Sequence, residues 1–389
     1  MEYMSDGTGI TSLLVYPNNL YFGLFLIFSI IVIGTISRKA TLTIWLQSVP
    51  AAICSIGLLL FVTLLMGLTV QNDSAVPETI RKLGLSHILS SWIYLFSSLF
   101  LIVSLGLTIV KNIITYKSDK AGFILSHVGL WIVLFGANFG SIQLTRTTVE
   151  LSEGQITNKA YNQTDNAYID LPFAIRLDDF ILEEYTPKLT LVDNFTGTIA
   201  DNIDNKTIIA DSGNTMKIGD WSVYIEDYIH SSAKAGDRYY FINEPGSAPS
   251  AKVMAINNLS DTVMGWVSCG SFNRQYEALK LSKEYSLVML LPEPKEFISK
   301  LTIVEPDGKP ETIILEVNKP YSLKGWKIYQ MGYDKELGRW SDSSVLELIN
   351  DPWIWFVYIG IFLMLTGAIY MFWMGSGTKS PVSGTLKKS

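Results

Sequence analysis

Cysteine is nearly absent from this 389-residue chain, which has only Cys54 and Cys269. No CxxC is present, so a thiol pair for disulfide exchange is excluded, and there is no CxxCH attachment motif. Cys54 lies in an apolar run and Cys269 in a hydrophilic region, so no disulfide is expected between them. Histidine is almost as rare, with His87, His127 and His230 only. Charge is scarce too, at 17% of residues, where a soluble domain carries about 25%. The shortage is local. Residues 1–143 hold five acids and seven bases, whereas residues 144–351 hold 31 acids and 20 bases. That acidic stretch has no Lys/Arg cluster, which argues against binding a nucleic-acid backbone. An apolar first third, a hydrophilic middle and one more apolar run exclude a single soluble globule.

What is present in quantity is apolar sequence in long runs. A helix needs about 20 mostly apolar residues to cross a bilayer, and five segments qualify: Leu20–Ile36, Trp45–Val70, Ile88–Val110, Phe123–Ile142 and Trp353–Phe372. Pro50 predicts a kinked or interfacial first turn in the second. The first is not a cleavable signal peptide, because no basic region precedes it and no A-x-A-like site follows. Lys and Arg mark the inner side of short loops. Arg38 and Lys39 follow span one, Lys111, Lys117 and Lys120 follow span three, and Lys379, Lys387 and Lys388 lie in the tail. These are alternate loops, so one orientation satisfies them all. The N-terminus is expected outside and the C-terminus inside. Trp353 and Trp355 are expected as interfacial anchors.

The predicted architecture is an α-helical membrane protein of five transmembrane helices, with one β-rich extracytoplasmic domain inserted between helices four and five. Its parts are a four-helix region (1–143), the β-rich domain (144–351), a final helix (352–374) and a cytoplasmic tail (375–389). Alternating runs predict strands at Phe173–Phe180, Trp221–Tyr228, Ser286–Leu291, Leu301–Glu305, Thr312–Val317 and Trp326–Gln330. Turn signals at Asp211-Ser212-Gly213-Asn214 and Pro306-Asp307-Gly308 separate them. A β-sandwich or open barrel follows, with a loop somewhere in Ser231–Ser250. The domain has one histidine, His230, and no nucleophile elbow, so no hydrolytic triad is expected. The acid pairs Asp178-Asp179 and Glu183-Glu184 read as solvated strand edges rather than glycosidase carboxylates.

His127 sits about five residues into span four, roughly 7 Å deep at about 1.5 Å per residue. Ionisable groups inside spans face a cavity, a partner or a ligand. A histidine bonded to a neighbouring helix and a histidine that ligates a cofactor both fit the residue itself. On a helical wheel Gly122, Gly129, Gly136 and Gly140 share one face, which lets another helix approach closely. Gly360 and Gly367 in span five repeat the seven-residue spacing and are the candidate partners. His127, Trp131 and Asn138 fall on nearly the opposite face. These three are the candidate cofactor-binding residues, with lipid-facing bulk the competing reading of Trp131. A neutral imidazole can ligate haem iron axially, so His127 is the candidate iron ligand. His87 lies at the far end of span three and is not expected to reach the same iron.

Several segments in order resemble the ResB/CcsB family, a membrane component of the system II cytochrome c biogenesis machinery. Span four from Gly122 through His127 and Trp131 to Ala137 is similar to the family's histidine-bearing helix. Leu171 to Phe180 is similar to the start of its outer domain. Val317-Asn318-Lys-Pro320 with Gly325 to Asp334 resembles its late signature, and Ser344 to Gly360 the entry to its last helix. The resemblance implies a non-catalytic subunit in the bacterial inner (plasma) membrane with its large domain in the periplasm. It implies a CcsA-like partner, transient haem b shared with that partner, and apocytochrome c as the recipient outside. His127 is the position that matches the family's membrane histidine. Span one is additional to the usual four, and no tryptophan-rich motif of the partner type is present. The alternative is a membrane-anchored scaffold or sensor whose acidic outer domain binds a ligand or envelope protein without haem. A transporter fits less well, because only His127 is ionisable deep in any span.

Overall fold

The computed structural model describes residues 16–71, 76–117, 120–163, 166–200, 206–306 and 308–375. The expected tail and Asp307 of one turn signal therefore lie outside the described residues. The chain divides into two compact units, residues 1–145 with 350–389, and residues 146–349. In the first unit the helices are α1 (Asn18–Ile36), α2 (Thr41–Leu46), α3 (Val49–Leu68), α4 (Glu78–Lys82), α5 (Trp92–Ile114), α6 (Ala121–Gly140) and α7 (Ile354–Gly375). Five of them, α1, α3, α5, α6 and α7, are long and apolar enough to cross a membrane. The run Trp45–Val70 is broken into α2 and α3. Ser48 caps α3 by accepting from the Ala51 amide at 3.4 Å, and Pro50 sits in its first turn, where no N–H is required. Ser104 of α5 holds the break by donating to the Leu46 carbonyl at 2.6 Å.

The glycine face of α6 meets α7. A Cβ built at Gly129 would lie 2.5 Å from the Gly360 carbonyl oxygen, and one at Gly360 would lie 2.8 Å from the Gly129 oxygen. Gly122 and Gly367 face each other in the same way. Only hydrogen side chains permit this separation, which brings the two backbones into van der Waals contact. At the end of the pair Trp353 packs on Gly140, and its indole donates to Gln143 Oε1 at 2.7 Å. Of the two expected anchors, Trp353 is thus turned inward, while Trp355 is 71% exposed.

The second unit combines both predicted β forms. Among the described residues its largest sheet has eight strands, in the order Glu311–Glu316, Pro294–Val304, Ala167–Glu184, Ile156–Asn162, Thr145–Ser152, Ser343–Asn350, Trp326–Tyr333 and Tyr321–Leu323. Alternate residues from nearly every strand, such as Leu151, Ile175, Leu301, Leu315, Ile328 and Leu348, form one core. The sheet therefore rolls around its own inner face as an open barrel. Its ends are joined by side chains: Tyr321 donates to Glu311 at 3.0 Å, and Lys324 pairs with Glu305. The other two sheets pack into a sandwich. One is built on Trp221–Ala235 and Ala248–Asn257, the other on Lys188–Asp193 and Tyr285–Met289, with Leu191, Val223, Val253 and Leu287 between them. The stretch Ser231–Ser250 is less loop-like than its composition predicts. Strand continues to Ala235, a second strand covers Arg238–Phe241, and irregular chain is confined to 242–247. Arg339 clasps the barrel to the sandwich, donating to the His230 carbonyl at 2.8 Å and to the Ser231 hydroxyl and Ser247 carbonyl at 3.0 Å each.

Candidate functional site in helix α6

The local sequence of α6 decides what its histidine offers. His127 Nδ1 lies 2.8 Å from the carbonyl oxygen of Phe123, one turn earlier. A carbonyl can only accept, so Nδ1 carries the proton, and Nε2 keeps its lone pair. Ser126 Oγ lies 3.2 Å from the same Nδ1. The Phe123 ring stacks on the imidazole with centroids 3.7 Å apart and so limits ring rotation. Metal-ligating histidines show this arrangement, with one nitrogen held by an acceptor and the other free to coordinate. His127 is half-buried, which leaves room for a group or another chain on its open side. Among the described residues no group of three or more His, Cys, Asp or Glu side chains gathers to hold a metal ion. A porphyrin brings four nitrogens of its own, so a single protein nitrogen suffices for one axial position.

The other two candidates are held differently. The Trp131 indole donates to the Ile102 carbonyl of α5 at 2.9 Å and stacks on Phe135 at 4.9 Å. Gly106 makes the space, since a Cβ there would sit 3.0 Å from the indole nitrogen. Trp131 is therefore neither lipid-facing bulk nor an open stacking platform. Asn138 donates to the Leu134 carbonyl of its own helix at 2.8 Å, about three turns beyond His127 at about 3.6 residues per turn. His87 precedes α5, whose 23 residues span roughly 34 Å at about 1.5 Å per residue. His127 is near the start of α6, next to the other end of α5, so the two imidazoles are at opposite ends of the unit. His230 is exposed on a strand and lies against Phe241. Both cysteines carry free thiols, and burial pushes that of Cys269 up to about 12, which removes thiolate chemistry at neutral pH.

Sequence reasoning missed three contributors. Phe123 acts through its backbone oxygen and ring, and Gly106 acts as a socket. Asn19 of α1 is fully buried and donates to the Phe139 carbonyl at 3.1 Å, fastening α1 to α6. Only Asn19 carried a signal, as an amide immediately before an apolar run.

Fold and site together define a bundle of membrane-type helices that carries a strand-built domain and presents one conditioned imidazole. A family model described as "ResB-like family" matches residues 117–209 and 266–343. Over those two segments the chain is similar to that family. The matched residues include α6 with His127 and most barrel strands, while the unmatched interval holds the sandwich strands Thr215–Ile218 to Ala248–Asn257. No curated protein sequence matches the chain. A solved structure, "Cytochrome c Heme Lyase CcmF", is similar at 11% identity and a TM-score of 0.23, over 93% of this chain and 46% of that one. The chain thus spans about half the length of that protein.

Proposed function

We propose that the chain is a membrane subunit of cytochrome c maturation that holds haem for attachment by a CcsA-like partner. The observation that carries the reading is the Nδ1 bond of His127 to Phe123 at 2.8 Å, which leaves Nε2 as a neutral donor on a half-open helix face. Haem b, held transiently and shared with the partner, would supply the iron. A second histidine for that haem would have to be supplied by another chain, because no other described histidine of this unit lies near His127. Trp131 is a positioning residue that fixes α6 against α5, and Phe123 sets the tautomer and the ring plane. The subunit is non-catalytic: it binds and orients, and bond formation to the apocytochrome thiols belongs to the partner. The five helices span the bacterial inner membrane, and the strand-built unit is periplasmic, where apocytochrome c is the recipient.

The test is to co-purify the full chain with a CcsA-like protein and record the Soret band. His127→Ala is expected to abolish or shift it, with external imidazole restoring it in His127→Gly. A Soret band unchanged in His127→Ala sinks the site. Unchanged covalent haem staining of cells lacking the gene would instead favour the haem-free scaffold.

A further inference from the structure

Among the described residues a group of cations without acidic partners gathers in the helical unit where α1 and α5 end, the same end of the unit as His127. Arg38, Lys39, Lys111 and Gln47 line a cavity of about 220 Å³ with Ile44 and Ile114 as apolar walls. The sequence builds this convergence. A Cβ at Gly34 would lie 2.7 Å from Val110, so α1 and α5 are in close contact there. Lys111 is the next residue of α5, and Arg38 comes one turn after Gly34. The α2–α3 break, with Trp45 stacked on Phe100 at 6.0 Å, brings in Gln47. The amide nitrogen of Gln47 is shielded from solvent and has no hydrogen-bond partner among the described residues. No described carboxylate neutralises the cations. Glu78 pairs with Lys82 at 2.7 Å, and Asp351 accepts from the Trp353 amide at 3.0 Å; these are the described acids of the unit.

We propose that this cavity binds the phosphate of an anionic membrane lipid. Two lysines and a guanidinium supply charge, Arg38 in a geometry suited to phosphate oxygens, and Gln47 donates its unpaired N–H. Leu42 and Ile44 are exposed on α2 beside it and give the acyl chains an apolar track. A zwitterionic headgroup would bring its own cation into a site already rich in them. The proposal rests on the chain spanning a membrane and is independent of haem.

The test is native mass spectrometry of the full chain in detergent, with phosphatidylglycerol, phosphatidylcholine of the same acyl chains, or sodium phosphate added. Phosphatidylglycerol adducts are expected to exceed phosphatidylcholine adducts several-fold. Arg38→Gln and Lys111→Gln should each weaken retention about fivefold, from the usual contribution of one cation near an anionic surface. Gln47→Leu keeps every charge and should also weaken it, while Arg81→Gln should change nothing. Equal retention of the two lipids, or indifference to Lys111→Gln, overturns the proposal. Displacement of phosphatidylglycerol by millimolar sodium phosphate would assign the site to a free anion and overturn the lipid. Extraction of the protein from membranes by carbonate would instead signal that the membrane reading itself has failed.

Discussion

The α6–α7 pair and the barrel core solve the same packing problem by opposite means. The helices meet where side chains are missing, at Gly122, Gly129, Gly360 and Gly367. The barrel is held where side chains are large and fully buried, at Phe173, Ile175, Leu177 and Leu301. The difference follows from the solvents that the proposed membrane placement assigns to the two units. In hydrocarbon, moving an apolar side chain from lipid to a helix interface gains little, so close backbone contact must do the holding. In water each buried Leu or Ile contributes about 1.5–3 kcal/mol by leaving solvent. Enlarging a residue should therefore harm the first site most, and shrinking one the second.

The most severe change is expected from Gly129→Leu. Its Cβ alone would collide with the backbone of Met364 and Gly360, which rotamer changes cannot relieve. A loss above about 3 kcal/mol, beyond ordinary overpacking, should appear as failure to accumulate folded protein in detergent. Normal accumulation would mean that α6 and α7 are not in close contact. Next comes Ile175→Ala in the barrel, where a fully buried side chain is lost. It should destabilise the strand-built unit by about 2–5 kcal/mol, read as a shifted denaturant midpoint.

Arg339→Gln should cost less, about 1–3 kcal/mol for acceptors left underbonded between barrel and sandwich, with limited proteolysis at 242–247 as its readout. The smallest effect is a pH dependence. Burial raises the pKa of Glu184, and the Arg339 charge partly opposes that rise. A carboxyl whose folded pKa is raised stabilises the fold below its unfolded pKa and loses that contribution as pH climbs through the folded value. Glu184→Gln should therefore flatten the stability profile on the acid side of neutrality. Removing Arg339 should move the Glu184 transition to still higher pH.

The glycine register was readable because a seven-residue spacing on a straight helix fixes one face, and Gly360 and Gly367 repeat it. The interrupted second apolar run was signalled by Pro50. Barrel and sandwich were both foreseen as forms, but not that one chain would use both. Thr145–Ser152 and Ile156–Asn162 escaped notice because polar residues fill most of their outer positions and two inner ones, Thr147 and Asn162. Thr147 is buried and donates to the Leu348 carbonyl at 3.3 Å. The position of His127 in its helix was plain, but its tautomer was not, since backbone acceptors leave no mark in the residue string. Likewise nothing in the sequence announced that Gly106 would receive the Trp131 indole, or that Arg339 would reach residues about a hundred positions earlier.

The bond from His127 to Phe123 closes within one turn of a single helix, so no neighbouring subunit is needed to prime the nitrogen. Synthesis of this chain and its encounter with a partner become separable events. Under the proposed function, a cell could stock the subunit empty with its Nε2 already unprotonated, and loading would call for no proton to move on the protein.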